Sequence, residues 1–191
     1  MPLIKLYFTP ALLLLVLTCP QVSQSVPVTE TCVLNVQTLL HNITDILTQN
    51  KLFSGINCSK QSVELNMETN TPSVCSPKES TCSGIIKSEF DQESCLTSIG
   101  EDLNYYYKFL AAQPDPERLL AQTDLFRLRD IMENCFTMSL PTDLASKEAA
   151  AERPSTYDER LTLCKVLKGF QIRTITINRA IAYMNSGEHT S

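Results

Sequence analysis

The sequence predicts an all-α fold, a four-helix bundle that runs up-up-down-down, with two long crossover loops stapled by disulfides. Four stretches repeat apolar residues every three or four positions, and none sustains the two-residue alternation of a half-buried strand. The connections between these stretches are long, short and long. The 191 residues are enough for one ordinary domain and too few for two domains with a linker.

The first two helices are predicted from stripes of apolar residues. The first runs from about Val33 to Phe53, and its stripe consists of Val36, Leu39, Leu40, Ile43, Ile46 and Leu47. The stripe of the second consists of Leu96, Ile99, Leu103, Tyr106 and Leu110. We expect the second helix to stop before Pro114 and Pro116, because proline cannot continue a helix.

The third helix is predicted to begin at Pro116, with Asp115 as its N-cap, and to end near Leu140 and Pro141. Its expected buried residues are Ala121, Leu125, Leu128, Ile131, Cys135 and Met138. The fourth helix is predicted from about Tyr157 to Met184, a length of about 40 Å. Its core stripe comprises Leu163, Val166 or Leu167, Phe170, Thr174, Ile177, Ile181 and Met184.

The connections predict the topology. Roughly 40 residues join the first two helices, a few join the second to the third, and about 16 join the third to the fourth. A long connection can run the length of a bundle and leave consecutive helices parallel, whereas a short one makes them antiparallel. The pattern is that of growth hormone and cytokine bundles.

The N-terminus predicts a signal peptide at 1–25 and a mature domain at 26–191. Lys5 is followed by an apolar run, and Ser23 and Ser25 suit the −3 and −1 positions of signal peptidase, so we expect cleavage after Ser25 and secretion. A membrane anchor is the alternative, but about 12 or 13 apolar residues fall short of the roughly 20 that span a bilayer. We expect no membrane insertion.

Of the eight cysteines, Cys19 lies in the signal peptide, which leaves seven in the mature chain. In an oxidising compartment these predict disulfides, with one thiol left over, either buried and free or bonded to another chain. Sequons at Asn42 and Asn57 predict a glycoprotein, although Cys58 could be bonded before a glycan is added at Asn57.

Composition argues against several functions. A net charge of −5 without a basic run argues against nucleic acid. The two histidines, His41 and His189, lie in a helix and in the tail, and no catalytic motif is present, so we expect no enzyme. With cysteines committed to disulfides we expect no metal and no cofactor. Recognition of another protein remains.

The last helix carries a second stripe opposite its core stripe. This outer ridge consists of Ile172, Ile175, Thr176, Arg179 and Tyr183. Arginine and tyrosine are enriched at interface centres, so the ridge predicts a protein interface with Arg179 as its anchor. The alternative is a helix covered by the crossover loops, with Arg179 paired to a loop acid.

Tyr157, at the start of the last helix, could be a hydrophobic staple for that helix or an exposed contact at the end of the bundle. The local pattern alone favours the staple.

Two segments resemble helices of the interleukin-12 alpha subunit family. Residues 157–185 resemble its last helix, with the sequence YDERLTLCKVLKGFQIRTITINRAIAYMN. Residues 95–106 resemble the start of its second helix, with the sequence CLTSIGEDLNYY. The resemblance implies a four-helix cytokine that forms a heterodimer with a beta subunit of immunoglobulin and fibronectin domains. It implies that Arg179 inserts into the beta subunit with Tyr183 in the same contact. Tyr157 then matches an aromatic that faces a cell-surface cytokine receptor chain, and signalling promotes interferon-gamma responses in T and natural killer cells.

The resemblance also implies three disulfides, Cys58 with Cys164, Cys75 with Cys95, and Cys32 with Cys82. Cys135 is then left over and, because it faces the core, is expected to be a buried free thiol. The cysteine that bonds the beta subunit is missing on this assignment, although a reassigned Cys75 or Cys82 could provide it.

Two other functions stay open. A stand-alone interleukin-6-type cytokine would not need the outer ridge. A secreted helical carrier of lipid or small molecules would need a cavity, which the large residues of the core stripes disfavour.

Overall fold

The computed structural model describes residues 28–49, 51–76, 90–136, 138 and 153–187. These residues form an all-α structure with three disulfides. The predicted signal peptide, Cys82 and His189 lie outside the described residues. Among the residues it describes, no helix is long and apolar enough to cross a membrane.

The helices are α1 (Glu30–Leu47), a short α2 (Thr71–Val74), α3 (Gln92–Ala111), α4 (Phe126–Cys135) and α5 (Tyr157–Ser186). A 3-10 turn covers Cys58–Lys60, and a π-helical turn at Ala121–Leu125 leads into α4. The four long helices α1, α3, α4 and α5 are those that the apolar stripes predict, and α2 lies in the first crossover. The first helix is shorter than predicted, because it ends at Leu47 and Phe53 is buried in the turn that follows.

The four long helices form a four-sided bundle in which α5 packs on α1 and α3, and α4 packs on the same two helices. The disulfide from Cys32 to Cys135 joins the start of α1 to the end of α4, so these helices are antiparallel. The disulfide from Cys58 to Cys164 brings the chain that follows α1 to the first part of α5. The start of α3 lies near the end of α5, where Phe90 contacts Tyr183. The order is therefore up-up-down-down, as predicted.

Two disulfides, Cys58 with Cys164 and Cys75 with Cys95, are the pairs that the resemblance implies. The third expectation is wrong, because Cys32 bonds Cys135 rather than Cys82. Cys135 is therefore not a free thiol. Cys135 is buried at the end of α4, next to the start of α1. Which helix ends lie together is set by the tertiary fold and cannot be read from the spacing of the cysteines.

The third helix differs from its prediction at both ends. Its helical part begins after Pro116, because Asp115 accepts hydrogen bonds from the amides of Leu119 (2.7 Å) and Ala121 (2.8 Å) and Arg118 adopts a positive φ of 55°. It ends at Cys135, before the predicted Leu140. Asp115 therefore bonds amides of the first helical turn from outside the helix, but it is not the N-cap residue, and Pro116 is not the first helical residue.

The π-helical turn also changes which side chains are buried. The sequence pattern places Ala121 and Leu125 in the core, whereas the structure buries Leu120 and Asp124 and exposes Ala121. A π-helical turn holds more residues than an α-helical one, which shifts the inward face by one position. From Leu128 onward the predicted face is correct.

Candidate partner-binding surface

The outer ridge lies on α5, opposite the residues that hold the bundle together. Phe170, Ile177 and Ile181 are almost completely buried, and the ring of Phe170 stacks on that of Tyr106 at 4.2 Å. On the other face Ile172 is 44% exposed and Arg179 is exposed, while Ile175, Thr176 and Tyr183 are half-buried. The five residues therefore form a mixed apolar and cationic strip that is accessible in this chain.

The neighbours of α5 leave this strip accessible. On one side of α5, Gln171 donates a hydrogen bond to the Thr44 hydroxyl of α1 at 2.9 Å. On the other side, the first crossover lies on α5, because the Glu64 amide donates to the Lys165 carbonyl at 3.0 Å. Both contacts involve the N-terminal half of α5, and Arg179 and Tyr183 lie beyond them toward its C-terminal end.

Arg179 has no acidic partner within the described part of the chain, where the ion pairs involve other cations. The alternative in which a loop acid neutralises Arg179 therefore finds no support among these residues. An exposed guanidinium between Ile175 and Tyr183 of the ridge can bind an external carboxylate in a bidentate manner while its stem packs on apolar surface.

A groove separates the outer ridge from α2. Its walls are Pro72, Cys75 and Ser76 on one side and Thr176, Arg179, Ala180 and Tyr183 on the other. The ring of Tyr183 packs edge-on against Phe90, with centroids 5.2 Å apart and an interplanar angle of 82°. The crossover and its disulfide from Cys75 to Cys95 therefore form part of the surroundings of Arg179 and Tyr183.

Tyr157 lies at the opposite end of α5 and is 52% exposed. The helix begins with a capping box. The Thr156 hydroxyl accepts a hydrogen bond from the backbone amide of Glu159, and the Glu159 carboxylate accepts one from the backbone amide of Thr156. Hydrogen bonds from Arg153 and from the Thr156 amide lower the pKa of Glu159 to about 2. Tyr157 is the first helical residue, whereas a staple uses the residue before the N-cap, so the staple interpretation is wrong.

The two sequons lie in different surroundings. Asn42 is half-buried on α1, and Thr44 of the same sequon donates to the Leu40 carbonyl at 2.8 Å. Asn57 is exposed, and its side-chain oxygen accepts a bond from the Ser59 hydroxyl at 2.6 Å. Glycosylation at both positions stays a prediction.

Sequence reasoning missed a buried cluster beside this surface. Arg173 is 4% exposed, and its Nε lies 3.2 Å from Oδ2 of Asp102, which is fully buried. The same carboxylate accepts bonds from crossover side chains, and an Arg173 nitrogen donates to the Asn66 carbonyl at 2.6 Å. The 3.6-residue period places Arg173 near the core, but the path of the crossover decides that it is buried.

Comparison with known proteins adds the family. The family model described as "Interleukin-12 alpha subunit" matches residues 11–187. This chain belongs to the interleukin-12 alpha subunit family. It is therefore a cytokine subunit by family, in agreement with its disulfide-stapled helical bundle.

Individual members of the interleukin-12 alpha subunit family match part of the chain. The subunits of Homo sapiens, Canis lupus familiaris and Felis catus are 31%, 32% and 33% identical to it over 99, 109 and 101 residues. These matches cover 48%, 52% and 48% of this chain and 44%, 47% and 43% of the relatives. The chain thus spans about half the length of the curated relatives it matches.

Proposed function

We propose that this chain is secreted and pairs through the outer ridge with a beta subunit of immunoglobulin and fibronectin domains, forming an interleukin-12-type heterodimer. The observation that carries the proposal is the exposed Arg179, which lies between apolar residues and has no acidic partner in the described part of the chain. Family membership supports it.

The chemistry of the ridge specifies the partner surface. Ile172 and Ile175 favour an apolar wall, and the guanidinium of Arg179 favours a carboxylate within that wall. Burial of an arginine at an interface is favourable only where its charge is paired, so such a pocket would distinguish the partner from other apolar surfaces. We therefore expect one or more acidic side chains in the beta-subunit pocket.

The opposite end of α5 is proposed to contact a receptor chain through Tyr157. The separation of 22 positions between Tyr157 and Arg179 corresponds to about 33 Å along the helix. One chain could then hold the beta subunit at one end and a cell-surface cytokine receptor at the other. Signalling through two receptor chains would promote interferon-gamma responses in T and natural killer cells.

Cys82 is the candidate for a covalent bond to the beta subunit. The mature chain has seven cysteines, and six of them form the three disulfides of the structure. Cys75, the other candidate, is bonded to Cys95. We propose Cys82 as the interchain cysteine.

The proposal is tested by co-expression of the full chain with a candidate beta subunit, size-exclusion chromatography, and gels with and without reducing agent. We expect a 1:1 complex, and a covalent dimer without reductant that the Cys82→Ser variant converts to a non-covalent one. A chain that is secreted as a stable monomer and signals without any beta subunit would overturn the heterodimer. Mass spectrometry of the native protein would reveal the bound small molecule that a carrier requires.

A further inference from the structure

The carboxylate of Asp102 gathers donors from two segments of the chain. Asp102 belongs to α3 and is fully buried. Its Oδ1 accepts hydrogen bonds from the side-chain amide of Asn66 (3.0 Å) and the Thr69 hydroxyl (2.7 Å), and its Oδ2 accepts one from the Thr71 hydroxyl. Arg173 of α5 completes the set with an ion pair at 3.2 Å. The three hydrogen-bond donors thus all come from the first crossover, and the ion-pair partner comes from α5.

A buried carboxylate with three hydrogen-bond donors and an ion-pair partner is held far more firmly than an exposed one. Burial of a charge is costly unless it is paired and hydrogen-bonded. Each partner of Asp102 therefore lowers the free-energy cost of burying its carboxylate. The crossover backbone is held as well. The backbone amide of Asn66 donates to the Tyr106 hydroxyl at 3.3 Å, and the guanidinium of Arg173 donates to the backbone carbonyl of Asn66 at 2.6 Å. The crossover is therefore held between α3 and α5 by bonds to both helices.

This cluster continues directly into the wall of the groove. Thr71 is fully buried and is the first residue of α2. Its one hydroxyl hydrogen, which is directed at Asp102, is shared with the Ser98 carbonyl oxygen at 3.2 Å. The groove opposite Arg179 is lined by Pro72 of α2 and by Cys75, which directly follows α2. An isolated helix of four residues is not stable in water, so α2 depends on its attachments. Those attachments are the Thr71 hydroxyl at one end and the disulfide from Cys75 to Cys95 at the other.

We propose that Asp102 and Thr71 are positioning residues for partner binding, which hold α2 beside Arg179 so that α2 forms the second wall of the interface. This inference rests on the proposed heterodimer. Neither residue is accessible, so neither touches the partner. They act by fixing the position of α2. The fixed α2 then provides a surface of apolar side chains and backbone on one side of the aliphatic part of Arg179.

The experiment compares hydroxyl removal with hydroxyl retention at position 71 in the full secreted chain. Thr71→Val removes the donor with little change of shape, and Thr71→Ser keeps the donor. Thr38→Val is the matched control, because among the described residues the Thr38 hydroxyl bonds only the Leu34 carbonyl of its own helix. Affinity for the purified beta subunit is measured by surface plasmon resonance, and a melting curve is recorded for each variant.

We expect Thr71→Val to weaken binding by about fivefold or more, the effect of one lost hydrogen bond, with Thr71→Ser within about twofold of the parent chain. Thr38→Val should bind like the parent. Because Thr71 acts on the surroundings of Arg179, Thr71→Val combined with Arg179→Ala should lose less than the product of the two separate losses.

A folded Thr71→Val that binds at full affinity, beside a weakened Arg179→Ala, would overturn the positioning role and leave the heterodimer intact. Fully multiplicative losses in the double variant would overturn it as well. If Arg179→Ala binds like the parent, the proposed function itself is wrong. Should Thr71→Val fail to fold, Thr69→Val, which removes another hydroxyl donor from Asp102, provides the same comparison.

Discussion

The backbone of Glu64 crosses α5 directly over Gly169. A side-chain carbon on this glycine would lie 1.9 Å from the Glu64 carbonyl oxygen and 2.7 Å from its carbonyl carbon. Real side-chain carbons do not approach backbone atoms this closely. The absence of a side chain at position 169 is therefore what lets the first crossover lie against the helix.

Gly169→Ala should displace the crossover and destabilise the chain. Overpacking a filled contact costs about 1 to 3 kcal/mol, which exceeds the gain of up to about 1 kcal/mol in helix propensity. The measurement is the melting temperature, with Gly100→Ala as the matched control. At Gly100 the nearest atom is the Met138 sulfur at 3.0 Å, at the flexible end of a side chain that can move away. Equal or higher stability of Gly169→Ala would contradict the close approach.

Asp124 should make stability decrease as pH rises. Its carboxylate is fully buried, neither oxygen has a hydrogen-bond partner among the described residues, and burial raises its pKa from the ordinary value of 3.8 to about 7. The folded state therefore holds this proton more tightly than the unfolded state. The associated stability is fully present below about pH 4, is lost progressively as the pH rises to about 7, and is gone above that.

Asp124→Asn should remove this dependence. The difference in free energy of unfolding between the variant and the parent chain should shift in favour of the variant by on the order of 1 kcal/mol per pH unit between pH 4 and 7. Denaturant titrations of both proteins across pH 4 to 8 measure it. A difference that stays constant across this range would show that Asp124 is ionised in the folded chain or is not buried.

The disulfide between Cys32 and Cys135 spans 103 residues and should contribute strongly to stability. Replacing both cysteines by serine should lower the free energy of unfolding by roughly 2 to 5 kcal/mol, the usual range for loss of a native disulfide. Proteolysis without reductant and mass spectrometry should find a peptide that joins Cys32 to Cys135. A peptide that joins Cys32 to Cys82 would restore the pairing implied by the family resemblance.

Helices and core stripes could be predicted from the sequence because a 3.6-residue period reports directly which face is buried. The prediction failed at Ala121, which is exposed because a π-helical turn changes the period itself, whereas Leu125 is partly buried against the core. It also missed the burial of Arg173. That residue is covered by a crossover whose path depends on Asp102 and Gly169, and neither of these residues marks its partner in the sequence.

The candidate surface divides in the same way. The outer ridge is a property of one helix, so a helical wheel predicts all five of its residues. The groove beside it needs α2, the Cys75 to Cys95 disulfide and Phe90, which are brought together only by folding. Disulfide partners are likewise set by which helix ends meet, and for Cys32 that is the end of α4.

Tyr157 should contribute to signalling and not to assembly. Because its half-exposed ring lies at the far end of α5 from Arg179, Tyr157→Ala should leave binding to the beta subunit unchanged and reduce receptor activation by roughly tenfold or more, as for an aromatic hot spot. Tyr157→Phe, which keeps the ring, is the control and should remain active. Reporter-cell dose curves of the purified heterodimers measure this, and a Tyr157→Ala complex of full potency would rule out the receptor role.

Arg179 is proposed to anchor a beta subunit, and the affinity of the Arg179→Ala chain for that subunit measures its contribution. Truncation of an anchoring arginine should cost about 2 kcal/mol or more, which is about 30-fold in Kd, while the melting temperature stays that of the parent. Lys108→Ala, which removes an exposed cation from α3, serves as the control and should bind normally. A folded Arg179→Ala chain with undiminished affinity would show that Arg179 does not anchor the beta subunit.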